Sequence, residues 1–327
     1  HCWPEGGRAI TNEQIAESGE REVPPAGAHA KVLKELQDGQ VRVTIEAARG
    51  GGHNLLTIYH LGRELILTEL LPLLENAGLR VLEQLGTGGN GEGVTLLRVR
   101  DSNGQVLESH EQSGRLAVAL AAVLEGKAQD DPLNSLITNA GLTHREVELV
   151  RAYEGYYAQA SASFDKEELT QTLLAHPTAA ASLGECHAQR FDPLLEGDRE
   201  AGMREAQEQF EANLHDVSSV EQDRALRGIF ALMAATVRTN YFQGREYISF
   251  KIASRQVEDM PQPKPMFEVG VASPTMEGTH MRGGKVARGG IRWSDRLADY
   301  RTEVLGLTKT QMTKNAVIVP VGSKGGF

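Results

Sequence analysis

The last thirteen residues read NAVIVPVGSKGGF, and they constrain the fold more than any other stretch. Ala316 to Val321 is a continuous apolar run, the pattern of a strand buried on both faces in a parallel sheet. Such a strand needs further strands beside it and helices above and below. The run leads into Gly322-Ser-Lys-Gly-Gly326, a lysine bracketed by glycines. This end is therefore expected to begin an α/β domain that presents Lys324 on a glycine loop at a strand end, where open α/β sheets place their ligands.

The pattern just upstream agrees. Asp299 to about Lys314 reads as a helix, with Tyr300, Val304, Leu307 and Gln311 on one stripe. Ile291-Arg-Trp293 is a short strand. Ser273 to Gly290 is read as a loop, with glycines at 278, 283, 284, 289 and 290. Tyr247–Ile252 and Phe267–Val271 alternate as strands around a stiff connector carrying Pro261, Pro263 and Pro265.

From Lys127 to about Asn240 the period changes to that of helices. Thr143-His-Arg-Glu146 is a capping box before an amphipathic run to about Ala158. Asp165-Lys-Glu-Glu168 opens the next helix. Ser218-Ser-Val-Glu221 opens another to about Thr239, with Leu226, Ile229, Phe230 and Met233 at helical spacing. Before that boundary the period is two. Val41, Val43 and Ile45 alternate with Arg42, Thr44 and Glu46. Leu55–His60, Leu79–Leu85 and Gly93–Arg100 are further strands. Thr68 is placed to cap a helix through Asn76, and Ser113–Glu125 is a second helix. This order suits a ferredoxin-like α+β sandwich. Residues 1–40 are weakly patterned and read as a linker or the remnant of a preceding domain.

Several chemistries find no support. Gly86-Thr-Gly-Gly-Asn-Gly91 has G-x-G-x-x-G spacing, but Val94-Thr-Leu-Leu-Arg-Val99 follows as a strand, where a dinucleotide site needs a helix N-terminus. It is read as a hairpin loop. The ten histidines show no metal-ligand spacing, so no metal is expected. Gly322-Ser-Lys-Gly lacks the order of a Walker loop, and there is no Gly-x-Ser-x-Gly elbow. Cys2 and Cys186 lie far apart without partner-like spacing, which points to free thiols in a reducing compartment. No basic-then-apolar leader opens the chain and no apolar stretch spans a bilayer. A cytoplasmic protein without membrane contact is the expectation.

Charge is uneven. Residues 281–327 hold nine Arg or Lys against three Asp or Glu, a net of +6; with −10 overall, residues 1–280 carry −16. The basic residues interleave with glycines and apolar residues, and aromatics amount to 5% of the chain. That favours a small-anion site over a nucleic-acid surface. Lys285, Arg288, Arg292, Lys314 and Lys324 fall at bends or element ends, while Gly289-Gly290 and Gly325-Gly326 let backbone approach a ligand. Clustered cations attract a carboxylate and depress the pKa of the most desolvated lysine, fitting it for acid–base work. The alternative is a basic surface that pairs with Asp295, Asp299 and Glu303.

The segment RGGKVARGGIRWSDRLADYRTEVLGLTKTQMTKNAVIVPVGSKGGF resembles the substrate-domain core of glutamate dehydrogenases, most closely the large bacterial NAD-dependent type. ITNAGLTHREVELVRAY, LLAHPTAAASL, RTNYFQGREYISFK and PKPMFEVGVASPTMEGTH extend the likeness back to about Asp131. Leu55 to Arg100 fits the ACT-like regulatory modules of the same enzymes. The resemblance implies a linker or remnant at 1–40, an ACT-like α+β module at 41–126, a helical segment at 127–240 and a truncated α/β substrate domain at 241–327. It implies oxidative deamination of L-glutamate to 2-oxoglutarate and ammonia, with hydride passed to NAD, by a homo-oligomer. In it Arg288-Gly289-Gly290 holds one substrate carboxylate and Lys314 the other. The family's usual residue at Arg288 is lysine; a guanidinium keeps the charge and binds carboxylate bidentately. Lys324 is the catalytic lysine, activating the water that attacks the iminium. The family's usual residue at Ser323 is alanine. The family's catalytic aspartate and nucleotide domain lie beyond Phe327, so these 327 residues alone are expected neither to bind NAD nor to turn over glutamate. The rival reading is a non-catalytic ligand-sensing module that retains an anion-binding loop.

Overall fold

The structure is a computed structural model, and it describes residues 26–48, 51–62, 64–86, 92–285, 289–313 and 322–327. The chain divides into two compact units, one ending at Val147 and one beginning at Glu148.

The first unit is built on strands β1 (Val41–Ala47), β2 (Asn54–Leu61), β3 (Leu79–Gly86) and β4 (Glu92–Asp101). They form a sheet in the order β1-β2-β4-β3, antiparallel throughout. β2, helix α2 (Leu67–Asn76), β3, β4 and helix α3 (His110–Leu124) give the strand–helix–strand–strand–helix order expected of a ferredoxin-like unit. β1 occupies the place beside β2 that the last strand takes in that fold, so the sheet is a permuted version of it. β1 alternates in burial as its sequence requires, with Val41, Val43 and Ile45 inward.

β2 does not alternate: seven consecutive residues from Asn54 to His60 are buried. The reason is helix α1 (Ala26–Glu35), inside the stretch read as a linker. Its Val32 and Leu33 pack with Leu36 and Leu85 against Leu55, Tyr59, Val94 and Leu96. The sheet thus has apolar cover on both faces, and Leu56, Ile58, Leu96, Leu97 and Val99 are fully buried. Asn54 fastens the long return to α3, exchanging hydrogen bonds of 2.9 and 2.8 Å with the backbone of Leu107. α2 starts one residue before Thr68, after an extended Ile66 without a side-chain cap. Packing of its stripe Leu70, Leu73 and Leu74 sets its position, so Thr68 lies within the first turn. A one-turn helix α4 (Leu136–Asn139) follows.

Five longer helices come next: α5 (His144–Ala160), α6 (Lys166–Ala175), α7 (Pro177–Phe191), α8 (Arg199–Leu214) and α9 (Val220–Ala234). The capping boxes at Thr143/Glu146 and Asp165/Glu168 are both made. α9 is capped by Ser219, one residue later than the sequence pattern placed it. It also ends five residues early, at Ala234. Thr236–Thr239, rich in β-branched residues, forms β5 because it can pair with β6 (Ile248–Ile252).

The second sheet runs β5-β6-β7-β8-β10-β9, with β7 (Phe267–Ser273), β8 (Met276–Arg282), β9 (Ile291–Arg292) and β10 (Ser323–Gly326). β8 lies in the stretch read as loop. A two-residue connection after Ser273 turns the chain straight back, which allows only antiparallel pairing with β7. Among the described residues, parallel pairing is confined to β9–β10 and the other pairs of this sheet are antiparallel. The apolar run Ala316–Val321 lies outside the described residues. Helix α10 (Tyr300–Thr313) covers one face over β8 and β10. Among its described residues the buried positions are Tyr300, Arg301, Val304, Leu305 and Thr308. The stripe is therefore rotated from the sequence reading, and it contains an arginine.

Candidate functional site

Lys324 sits within β10, rather than on a loop beyond a strand. Its strand is held from both sides. Ser323, Lys324, Gly325 and Gly326 pair with Arg282, Met281, His280 and Thr279 of β8. On the other side the Gly325 amide donates to the Gly290 carbonyl at 3.2 Å and the Phe327 amide to the Arg292 carbonyl at 3.2 Å. Two of the glycines are demanded by contact. A Cβ at Gly289 would overlap the Ser323 carbonyl oxygen, and one at Gly326 would stand 2.7 Å from a Val304 methyl. The fold thus brings Gly289 and Gly290 directly beside the strand that carries Lys324. Arg288 and Lys314 lie outside the described residues. In sequence they adjoin Gly289 and the last helical residue, Thr313.

Not every cation of this segment is free to meet an anion. Arg292 pairs with Glu303, whose carboxyl also accepts from the Ser294 hydroxyl at 2.6 Å. That hydroxyl, followed by Arg292, holds Glu303 below the usual carboxylate range. Arg296 forms a two-toothed pair with Asp299. The surface-pairing alternative is therefore what Arg292 and Arg296 do. Lys285 is exposed, and its carbonyl receives a 2.6 Å hydrogen bond from the Arg282 guanidinium. Lys324 is half-buried.

Under the site lies a cluster that sequence reasoning missed. Arg301 and Glu268 form a fully buried fork, Nε to Oε2 and Nη2 to Oε1 both at 2.9 Å. The Tyr156 hydroxyl donates to Glu268 at 2.7 Å and lies 2.8 Å from the Thr279 hydroxyl. Burial first, then the Glu268 charge, pushes the Tyr156 phenol far above its ordinary range. The Arg301 guanidinium, although desolvated, is held fully charged by Glu268. The signal in the sequence was an arginine flanked at helical spacing by Val304, Leu305 and Thr308.

Pairing register sorts the side chains of this sheet by face. Glu268, Met281 and Lys324 stand in one row across β7, β8 and β10, on the face covered by α10. The opposite face carries Arg238, Lys251, His280 and Arg282 beside Phe267, Val269 and Val271. The Lys251 ammonium lies 3.8 Å from the centre of the Phe267 ring. Desolvation, then Arg238 and Arg282, pull its pKa down. His280 is pulled down by burial and then by Arg282.

Two further features bear on cofactors. Among the described residues no group of three His, Cys, Asp or Glu comes together to hold a metal. The glycine motif that starts at Gly86 does not lead into a helix: β3 is followed by its antiparallel neighbour β4, not by the helix N-terminus that a dinucleotide fingerprint needs. No helix among the described residues is long and apolar enough to cross a membrane. The thiol of Cys186 is buried and raised to about 11, chiefly by desolvation.

A permuted ferredoxin-like module, a run of helices and a glycine-laced sheet presenting a lysine follow one another along the chain. Three family models match in that order. Residues 40–87 match the glutamate dehydrogenase ACT3 domain, residues 128–193 glutamate dehydrogenase helical motif 3, and residues 209–327 the bacterial NAD-glutamate dehydrogenase catalytic domain. Over those segments the chain belongs to the bacterial NAD-glutamate dehydrogenase family. It is 40% identical over 296 residues to the NAD-specific glutamate dehydrogenase of Halomonas elongata, covering 85% of this chain and 18% of that one. It is 37% identical over 335 residues to that of Mycobacterium tuberculosis, covering 96% and 20%. With the Pseudomonas aeruginosa enzyme it shares 38% over 294 residues, covering 83% and 18%. The chain spans about a fifth of the length of these relatives.

Proposed function

We propose that this chain is part of a longer cytoplasmic, homo-oligomeric enzyme that oxidatively deaminates L-glutamate to 2-oxoglutarate and ammonia, with NAD as hydride acceptor. The observation that carries the reading is the placement of Gly289 and Gly290 against the strand bearing Lys324. At Gly290 a Cβ would meet nothing within 4 Å, and this open backbone beside a half-buried amine leaves room for a dicarboxylate to approach. Arg288 and Lys314 hold the two carboxylates in this reading. Lys324 acts as the base that takes a proton from the water attacking the iminium carbon. NAD is assigned to the longer protein, and no step is derived through it.

The test is Lys324→Ala in the longer protein. Turnover should fall by at least about 100-fold, the range of a general base, while KM for glutamate stays within about threefold. Unchanged turnover would overturn the reading. The 327-residue chain alone should show no turnover in a coupled assay.

A further inference from the structure

We infer that Arg301 and Glu268 are positioning residues for Lys324, locking α10 over the sheet so that the lysine is aimed. The inference rests on the functional reading of Lys324, and it names the device that sets this site's geometry.

Its basis is the row of residues across three strands. Glu268 of β7 stands opposite Met281 of β8, and Met281 opposite Lys324 of β10. Adjacent strands lie about 4.8 Å apart, so Glu268 and Lys324 are about 10 Å apart on the same face. α10 lies over this row. At one end Arg301 grips Glu268 through two parallel hydrogen bonds. One turn on, Val304 and Leu305 pack on Met281, and Val304 also presses the space that Gly326 leaves open. Thr308 reaches the Met281 sulfur at 4.0 Å. Apolar contacts of this kind resist separation but allow sliding and rotation. A planar fork does not, because both bonds require one orientation. The Tyr156 hydroxyl ties the carboxylate to Thr279, which pairs with Gly326, two residues from Lys324.

A stabilising role explains the pair poorly. Buried ion pairs are often replaceable by apolar residues without loss of stability, because desolvation offsets their attraction. Here the offset is larger, since Arg301 Nη1 is buried and has no hydrogen-bond partner among the described residues. What the pair contributes that leucine and methionine could not is direction.

The experiment compares this chain with its Glu268→Leu/Arg301→Met double variant. Lysines are modified with an amine-selective acetylating reagent at fixed pH, and rates are read peptide by peptide. Lys309, exposed on the same helix, is the internal control. The expected result is an undiminished melting temperature, a Lys324 rate changed by about threefold or more, and a constant Lys309 rate. An unchanged Lys324 rate, or both lysines changing together, would overturn the inference. Should the double variant not fold, Tyr156→Phe keeps the ring on Phe250 and removes only the hydroxyl. It must then shift the Lys324 rate selectively, and no shift refutes the lock. In the longer protein, a sub-ångström misaiming should lower kcat by about tenfold or more with KM little changed. If labelling shifts but Lys324→Ala leaves turnover intact, the catalytic reading fails and the lock stands.

Discussion

The two sheets of this chain solve burial in opposite ways. In the four-stranded sheet, β2 is apolar on both faces and helices cover it on both. Of its buried polar members, Asn54 exchanges hydrogen bonds with the Leu107 backbone. In the six-stranded sheet a carboxylate and a guanidinium are sunk under a helix, and cations crowd the opposite face. The first arrangement maximises transfer of apolar surface from water. The second accepts desolvation of charge where orientation matters. The difference separates a region built to be stable from a region built to aim side chains.

Four substitutions test that contrast, in falling order of effect. His187 is fully buried among Tyr153, Phe191, Tyr241 and Phe242, and its ring nitrogens lack partners among the described residues. Burial, then Arg190, lowers its pKa to about 3. An unfolded histidine titrates near ~6.5, so below that pH the unfolded chain takes up a proton that the native core refuses. Stability of the second unit should fall as pH drops from about 6.5 toward 3, by up to about 5 kcal/mol. Urea melts of His187→Phe at pH 7, 5 and 4 should lose that part of the pH dependence; an identical profile would break the account. Leu56→Ala in β2 should cost about 2–5 kcal/mol in the first unit, read by the same melts. Asp165→Ala removes one capping box and should cost about 1 kcal/mol. Arg296→Ala breaks a surface pair with Asp299 and should leave the melting midpoint unchanged.

The legible parts were those whose cause is local. Capping boxes at Thr143 and Asp165 need only four residues, and the alternation of Val41–Ala47 needs one sheet face. The elements misread depend on distant partners. Met276–Arg282 contains a glycine and no run of β-branched residues, and it becomes a strand because β7 and β10 flank it. Thr236–Thr239 leaves the helical period because β6 is available. Helix α1 was invisible because its purpose is to cover the second face of β2. Within the site, Gly289, Gly290 and Lys324 announced themselves through glycine spacing. Glu268 and Arg301 are 33 positions apart, and only the folded row across three strands relates them.

The central claim is that Lys324 and the adjoining glycine backbone form the floor of a dicarboxylate site. The most direct measurement is protection of Lys324 from acetylation in the longer protein. Saturating 2-oxoglutarate with NADH should slow modification of Lys324 by about tenfold or more while Lys309 reacts at its unliganded rate. Equal modification of Lys324 with and without these ligands would contradict the claim.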